Sequence, residues 1–187
     1  AVMLPRAEVS AARVDEILHT RPSVRAPRSA EPAPTDATVT FEHVSFRYPG
    51  AEDDVLHDVS FTAHPGQVTA IVGSTGCGKS TLLNLIPRFY DATEGSVEIF
   101  GRPVASYPRD ALRGRVAMVM QKAQLFGGTI RSNLLWGNKD ATDADLWAAL
   151  ETAQAADFVR AKPLGLDEPV EQGGRNLSGG QKQRLTI

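Results

Sequence analysis

The chain has 187 residues, of which 42% are hydrophobic and 22% charged, as in an ordinary soluble globular protein with room for a core. Its net charge of -2 provides no basic excess and argues against nucleic acid as the main partner. The single cysteine, Cys77, excludes an internal disulfide, and no apolar run is long enough to span a bilayer. If the function involves a membrane, we expect the spanning part to lie outside this chain.

The first 38 residues predict a helix followed by a linker. Residues 6–19 place Val9, Ile17 and Leu18 among charges, which favours an amphipathic helix. From Thr20 onward four prolines interrupt Arg, Ala and Ser, which is typical of an extended linker. We therefore divide the chain into a helix (1–19), a linker (20–38) and a globular domain (39–187).

From Val39 onward, strands and helices alternate. Strands are predicted at 39–46, 59–61, 67–72, 96–100 and 116–120, and turns at 48–50 and 64–66. Helices are predicted at about 79–86, at 144–153 with Thr142 or Asp143 as N-cap, and from Ser178. This mixture indicates an α/β fold, with a small antiparallel β subdomain beside the main core.

The segment Gly73-x-x-x-x-Gly78-Lys79-Ser80 matches the Walker A pattern and lies between a predicted strand and a predicted helix. Glycines let successive backbone N–H groups surround phosphate oxygens, and the following helix presents its positive end to the same anion. Lys79 can reach the β- and γ-phosphates, and Ser80 supplies a hydroxyl for Mg²⁺. The pattern predicts nucleotide binding but does not choose among kinases, GTPases and transport ATPases.

A second candidate anion site is Leu-Ser-Gly-Gly-Gln at residues 177–181. Ser178 is a natural N-cap, and the two glycines leave the helix start open to close approach. A single ATP cannot easily use two helix N-termini, whereas a head-to-tail pair of subunits can, with each second site covering the other's nucleotide. Taken alone, the segment could equally be a loop-to-helix cap.

With both motifs present, residues 39–187 strongly resemble the ATP-binding cassette (ABC) family. The resemblance implies an α/β P-loop NTPase core with an antiparallel β subdomain and a helical subdomain, incomplete at the C-terminus. It implies ATP and Mg²⁺ as cofactors, Lys79 and Gln121 as catalytic residues, and Ser80 and Gln121 as Mg²⁺ ligands. The implied ATP-binding set is Tyr48, Gly73, Ser74, Thr75, Gly76, Cys77, Gly78, Lys79, Ser80, Thr81 and Gln121. The residues implied to contact the ATP of a partner subunit are Ser178, Gly179, Gly180 and Gln181.

Three single residues match or depart from positions of the family. Tyr48 resembles the aromatic residue that stacks on adenine, although it could be an exposed tyrosine at a strand end. Gln121 resembles the Q-loop glutamine, and without the family it would be taken for a solvated residue. Cys77 stands where many relatives have serine, a mild departure at a position that binds through its backbone.

Two further segments resemble exporter-type cassettes: residues 124–130, and residues 171–175, which resemble the loop that touches the coupling helices. Residues 4–13 resemble the exit from a last membrane helix. The resemblance implies an exporter in which a membrane domain precedes this cassette at the cytoplasmic face of the membrane. The implied partners are a second nucleotide-binding domain, identical or different, and the coupling helices, with no nucleic acid. The alternatives are a soluble cassette ATPase of DNA repair or translation, or a non-hydrolysing fragment.

Family members continue into the Walker B aspartate and glutamate, the D-loop and the switch histidine. The last residue of this chain is Ile187, and no carboxylate follows Gln181. Leu-Ser-Gly-Gly-Gln at residues 177–181 resembles the family's signature motif, which comes before those segments. The carboxylates of Asp157, Asp167 and Glu168 precede this motif, so they cannot take those roles in order. We therefore interpret the chain as truncated and expect the 187 residues alone to turn over no ATP.

Overall fold

The computed structural model describes residues 3–25, 27 and 37–187, which form two compact units that divide between Val116 and Ala117. Much of the predicted linker, at positions 26 and 28–36, lies outside the described residues. The remaining positions of residues 20–38 contain no helix or strand. Within the described part of the chain, no helix is both long enough and apolar enough to cross a bilayer.

The first unit contains a long helix and a four-stranded sheet. Its elements are α1 (Met3–His19), β1 (Val39–Phe46), β2 (Leu56–Ala63), α2 (Lys79–Leu85), β3 (Glu94–Ile99), β4 (Arg102–Pro103) and α3 (Arg109–Arg113). The strand order is β2-β1-β3-β4, and every neighbouring pair is antiparallel. The antiparallel β subdomain predicted from the sequence is therefore confirmed.

The core of the first unit lies between this sheet and α2. Phe41, Val44 and Phe46 of β1 are buried together with Leu82 and Leu85 of α2. A spacing of three between the first two buried positions departs from the two-residue period of a regular strand. A bulge resolves the mismatch, because His43 adopts φ 48° and the register with β2 shifts between Phe41 and Val44.

The second unit consists of short helices around one small strand pair. Its elements are β5 (Gly128–Thr129), α4 (Ile130–Leu134), α5 (Asp143–Thr152), α6 (Ala156–Arg160), β6 (Pro169–Val170) and α7 (Gly179–Leu185). Buried Ile130, Leu150 and Val159 belong to its core. Thr142 caps α5 and Ser178 caps α7, as the sequence predicts, and each forms a reciprocal capping box with the residue three positions later.

Two predicted strands are wrong. Residues 67–72 and 116–120 have no regular structure, and Val68 and Val72, expected to be buried, are 98% and 91% exposed. A strand needs a hydrogen-bonded neighbour, and among the described residues neither segment is paired into a sheet. Other strand and helix bounds differ from the predicted ones by a few residues, with β2 longer than expected.

Candidate functional site

The glycine-rich loop before α2 holds the side chain of Lys79 close to its own backbone. The ammonium donates to the carbonyl oxygens of Gly73 (2.8 Å) and Ser74 (2.6 Å). Lys79 is the first residue of α2, so its charge lies at the helix N-terminus, where the helix dipole favours an anion. The loop thus concentrates positive potential on one small stretch of chain.

Two glycines give the loop its curvature. Gly76 and Gly78 have φ values of 88° and 90°, a left-handed conformation that L side chains rarely adopt. Gly78 is also packed closely against β2, because a Cβ atom there would lie 2.8 Å from Leu56 Cδ2 and 3.0 Å from the carbonyl oxygen of Val55. The sheet therefore supports the loop from behind, and only glycine satisfies both conditions at position 78.

Cys77 lies on the exposed side of this loop. Lys79 Nζ is 3.5 Å from Cys77 Sγ, and a Cβ atom added to Gly73 would lie 2.5 Å from the same sulfur. The thiol therefore fills the space that the missing side chain of Gly73 leaves open. The exposed hydroxyl-bearing Ser80 follows Lys79 in the first turn of α2.

Tyr48, at the turn after β1, reaches the same helix. Its hydroxyl lies 3.0 Å from the hydroxyl of Thr81, a buried residue of α2. The ring packs edge-on against Phe46 (centroids 4.8 Å apart, planes at 84°) and Tyr90 (5.2 Å, 88°). Folding thus brings a residue remote in sequence from the glycine loop into contact with the helix that follows the loop. Its assignment as the adenine-stacking residue stays a prediction.

In the second unit, Ser178 and the glycines after it form the exposed start of α7. Ser178 Oγ accepts a hydrogen bond from Gln181 N (3.3 Å), and Gln181 Oε1 accepts one from Ser178 N (3.0 Å). A Cβ atom at Gly179 or Gly180 would meet nothing within 4 Å. Space is therefore open above this helix start, although both polar side chains are already engaged in the cap.

Comparison with known proteins identifies the family. The sequence profile described as "ABC transporter" matches residues 56–187, well over half of the chain. The chain belongs to the ABC transporter ATP-binding family. The stretch contains the glycine loop and the Ser178 helix start described above.

Related ABC proteins match over nearly the whole chain. An uncharacterized ABC transporter ATP-binding protein of Mycobacterium bovis is 44% identical over 99% of this chain. A probable multidrug resistance ABC transporter ATP-binding/permease protein of Bacillus subtilis is 38% identical, also over 99%. This chain spans 32% of the length of each. A bacterial Atm1-family ABC exporter solved with ATP bound matches with a TM-score of 0.90 and 35% identity, over 98% of this chain and 32% of that one.

The two segments that resemble exporter cassettes meet in this ABC domain. β5 pairs with β6, and Gly173 N donates to the carbonyl oxygen of Leu125 (3.1 Å). A groove of about 750 Å³ runs between the segments, and its lining residues are Gln124, Leu125, Phe126, Gly127, Gln172, Gly173 and Arg175. The sequence did not predict this contact, because the two segments are far apart in the chain. The contact joins residues 124–130 and 171–175 into one continuous surface.

Sequence reasoning missed two residues that organise this surface. Asn133 accepts from Phe126 N (2.8 Å) and donates to Phe126 O (2.9 Å), so it fixes the backbone there. Arg131 donates to Asp167 (2.8 Å) and also bonds Asp143, which ties α4 to α5 and to the turn before β6. These hydrogen bonds raise the pKa of Arg131 and lower that of Asp167. Neither contact leaves a local sequence signal, because each partner is chosen by tertiary packing.

The predicted site residues are divided between the two units. The glycine loop, Tyr48 and Thr81 lie in the first unit, where Tyr48 contacts Thr81 in the helix that follows the loop. Gln121 and the Ser178 helix start lie in the second unit. Gln121 is exposed in a segment without regular structure. Its assignment as the Q-loop glutamine stays a prediction.

Proposed function

We propose that this domain binds Mg-ATP in the glycine loop and drives an ABC exporter. The single observation that carries the proposal is the Lys79 ammonium, held by two backbone carbonyls at a helix N-terminus. Charged phosphate oxygens are stronger hydrogen-bond acceptors than these carbonyls. A triphosphate bound in the loop would therefore accept the hydrogen bonds that Lys79 now donates to the backbone. The remaining ATP-binding residues are those implied by the family resemblance, including Tyr48, Thr81 and Gln121.

The donor set of the loop fits Mg-ATP. Ser80 offers an exposed hydroxyl oxygen beside the lysine, and Mg²⁺ prefers hard oxygen ligands. Gln121 would add an amide oxygen that holds Mg²⁺ or orients the attacking water. When bound, Mg²⁺ would neutralise charge on the phosphates. The protein's own contribution is to hold the γ-phosphate with Lys79 and to aim backbone N–H groups at it.

The second anion site is proposed to serve a partner. Ser178, Gly179 and Gly180 are exposed, which a site for another subunit's nucleotide requires. Two such domains, identical or different, would close head to tail around two ATP molecules. Each glycine loop would then face the partner's Ser178 helix start, and hydrolysis would reopen the pair.

Transport requires a contact with the membrane domain, and we place it on the groove between residues 124–130 and 171–175. Phe126 is 59% exposed there and packs against Trp136, which is 68% exposed, with ring centroids 5.1 Å apart. Exposed aromatic side chains beside a groove favour the docking of short helices. The coupling helices of an exporter would dock there, at the cytoplasmic face of the membrane.

Hydrolysis by the full-length protein in lipid vesicles tests the proposal. We expect Mg-ATP turnover that Lys79→Ala abolishes and that added DNA or RNA leaves unchanged. Lys139→Ala, at an exposed lysine in the second unit, is the matched control and should retain turnover. Turnover that requires nucleic acid would favour the soluble cassette ATPase instead. Failure of the wild-type protein to bind ATP would refute the nucleotide site itself.

A further inference from the structure

The contact between Tyr48 and Thr81 joins two hydroxyl groups that are 33 positions apart in sequence and 3.0 Å apart in space. Thr81 is only 6% exposed, and it follows Ser80 on the first turn of α2. A buried hydroxyl without a partner would be costly, so this bond is a firm part of the folded structure.

The ring of Tyr48 is restrained by aromatic packing and by a hydrogen bond. Phe46 and Tyr90 both pack nearly perpendicular to it, with centroids 4.8 and 5.2 Å away. The hydroxyl bond to Thr81 adds a second restraint, because it ties the hydroxyl end of the ring to α2. Removing the Tyr48 hydroxyl would leave the aromatic contacts in place, release this restraint and leave the Thr81 hydroxyl without this partner.

We infer that the hydroxyl pair of Tyr48 and Thr81 is a latch that sets the adenine platform relative to the phosphate loop before ATP arrives. Tyr48 would then act in two ways: its ring stacks on the base, and its hydroxyl positions that ring. A preorganised platform binds more tightly, because the ring has less freedom to lose on binding. The inference rests on the proposed ATP site and adds a positioning role within it.

Tyr48→Phe is the primary test, in the full-length protein that carries this chain. Competition against a fluorescent ATP analogue would give affinities for Mg-ATP and for Mg-tripolyphosphate, which has phosphates but no base. We expect Tyr48→Phe to lower the affinity for Mg-ATP about two- to tenfold, which is the factor that one neutral hydrogen bond contributes. Tripolyphosphate affinity should not change, since nothing in that ligand needs the platform.

Three further variants make the test specific. Tyr90→Phe removes the hydroxyl of a neighbouring ring that is not in the pair, and it should bind both ligands normally. In a Thr81→Ser background, which keeps a hydroxyl at position 81, Tyr48→Phe should still weaken ATP binding. In a Thr81→Val background, Tyr48→Phe should cause no additional loss, because the bond is already gone.

Wild-type ATP affinity in Tyr48→Phe would overturn the latch. Equal losses of ATP and tripolyphosphate would overturn it as well, because they would mean that the phosphate loop itself had been disturbed. If Tyr48→Phe fails to fold, the Thr81→Ser and Thr81→Val pair decides. The latch requires that the valine variant, relative to the serine variant, loses more affinity for ATP than for tripolyphosphate, whereas loss of a direct phosphate contact would weaken both ligands equally. A wild-type protein that binds no ATP would instead refute the proposed function and is distinguishable from these results.

Discussion

Lys79 donates its ammonium to the carbonyl oxygen of Ser74 over 2.6 Å, five residues back along the chain. The same group donates to Gly73 O over 2.8 Å, so the lysine joins the end of the glycine loop to its beginning. The ammonium is therefore held within the glycine loop by backbone carbonyls, at the place where the family resemblance puts the phosphates. The arrangement explains why the charge at position 79 should matter more than any single backbone contact.

Lys79→Ala should weaken Mg-ATP binding by about 100-fold or more. The substitution removes at least two charge-assisted hydrogen bonds to phosphate, each worth about 1.5–3 kcal/mol. Isothermal calorimetry on the full-length protein measures the change, with Lys139→Ala as the control for loss of a lysine charge. Unchanged ATP affinity in the Lys79 variant would remove the phosphate-loop assignment.

Gly78→Ala should destabilise the domain more than Gly76→Ala. Both glycines have φ near 90°, so each alanine variant bears the cost of a left-handed residue, about 1–2 kcal/mol. Only at Gly78 does the new methyl group also collide with Leu56 and Val55, whereas at Gly76 it meets nothing within 4 Å. Urea unfolding of both variants measures the difference, and equal losses would show that β2 does not support the loop from behind.

Ser178→Arg should block ATP-driven pairing while leaving ATP binding by a single subunit intact. Bulk and positive charge would fill the proposed partner site at the start of α7. The change also removes the helix cap, which is worth about 1 kcal/mol. Ser178→Ala is therefore the matched control, because it loses the cap but adds nothing to the open surface.

Sedimentation of a hydrolysis-blocked full-length protein, with and without ATP, distinguishes these variants. Dimers that form normally in Ser178→Arg would contradict the head-to-tail arrangement. Pairing that is equally weak in both variants would show that loss of the serine itself, and not the added bulk and charge of arginine, is responsible.

Acid should weaken the second unit partly through Asp167. The hydrogen bond from Arg131 lowers the pKa of this carboxyl group below its ordinary value of about 3.9. A group with a lowered pKa in the folded state contributes stability above the unfolded-state pKa and loses it as the pH falls through the lower, folded-state value. Stability should therefore decline below about pH 4.

Melting temperatures between pH 7 and pH 3 test this expectation. Asp167→Asn should reduce the acid-dependent part of the decline, because the neutral amide no longer titrates. Asp140→Asn is the control, since Asp140 makes no ion pair among the described residues. Parallel pH profiles for wild type and Asp167→Asn would show that the pair with Arg131 contributes nothing.

Local patterns in the sequence were sufficient for several elements. The bounds of β1, the start of α2 and the caps Thr142 and Ser178 depend on neighbours in the chain, so the residue types alone predict them. The Walker A and signature patterns also identified the family, because a phosphate-binding loop needs its glycines and lysine at one spacing. Each of these features depends on residues that are close together in the chain, so the sequence pattern is sufficient to predict it.

Tertiary structure alone decided where strands could persist and which distant side chains met. Residues 67–72 have a strand-like apolar pattern, yet a strand needs a hydrogen-bonded neighbour, which no local pattern supplies. The Tyr48–Thr81 pair, the Arg131–Asp167 pair and the hold of Asn133 on Phe126 depend on packing between separate elements. Their geometry follows from how the two cores fold, because a hydrogen bond forms only where packing brings a donor and an acceptor within about 3 Å.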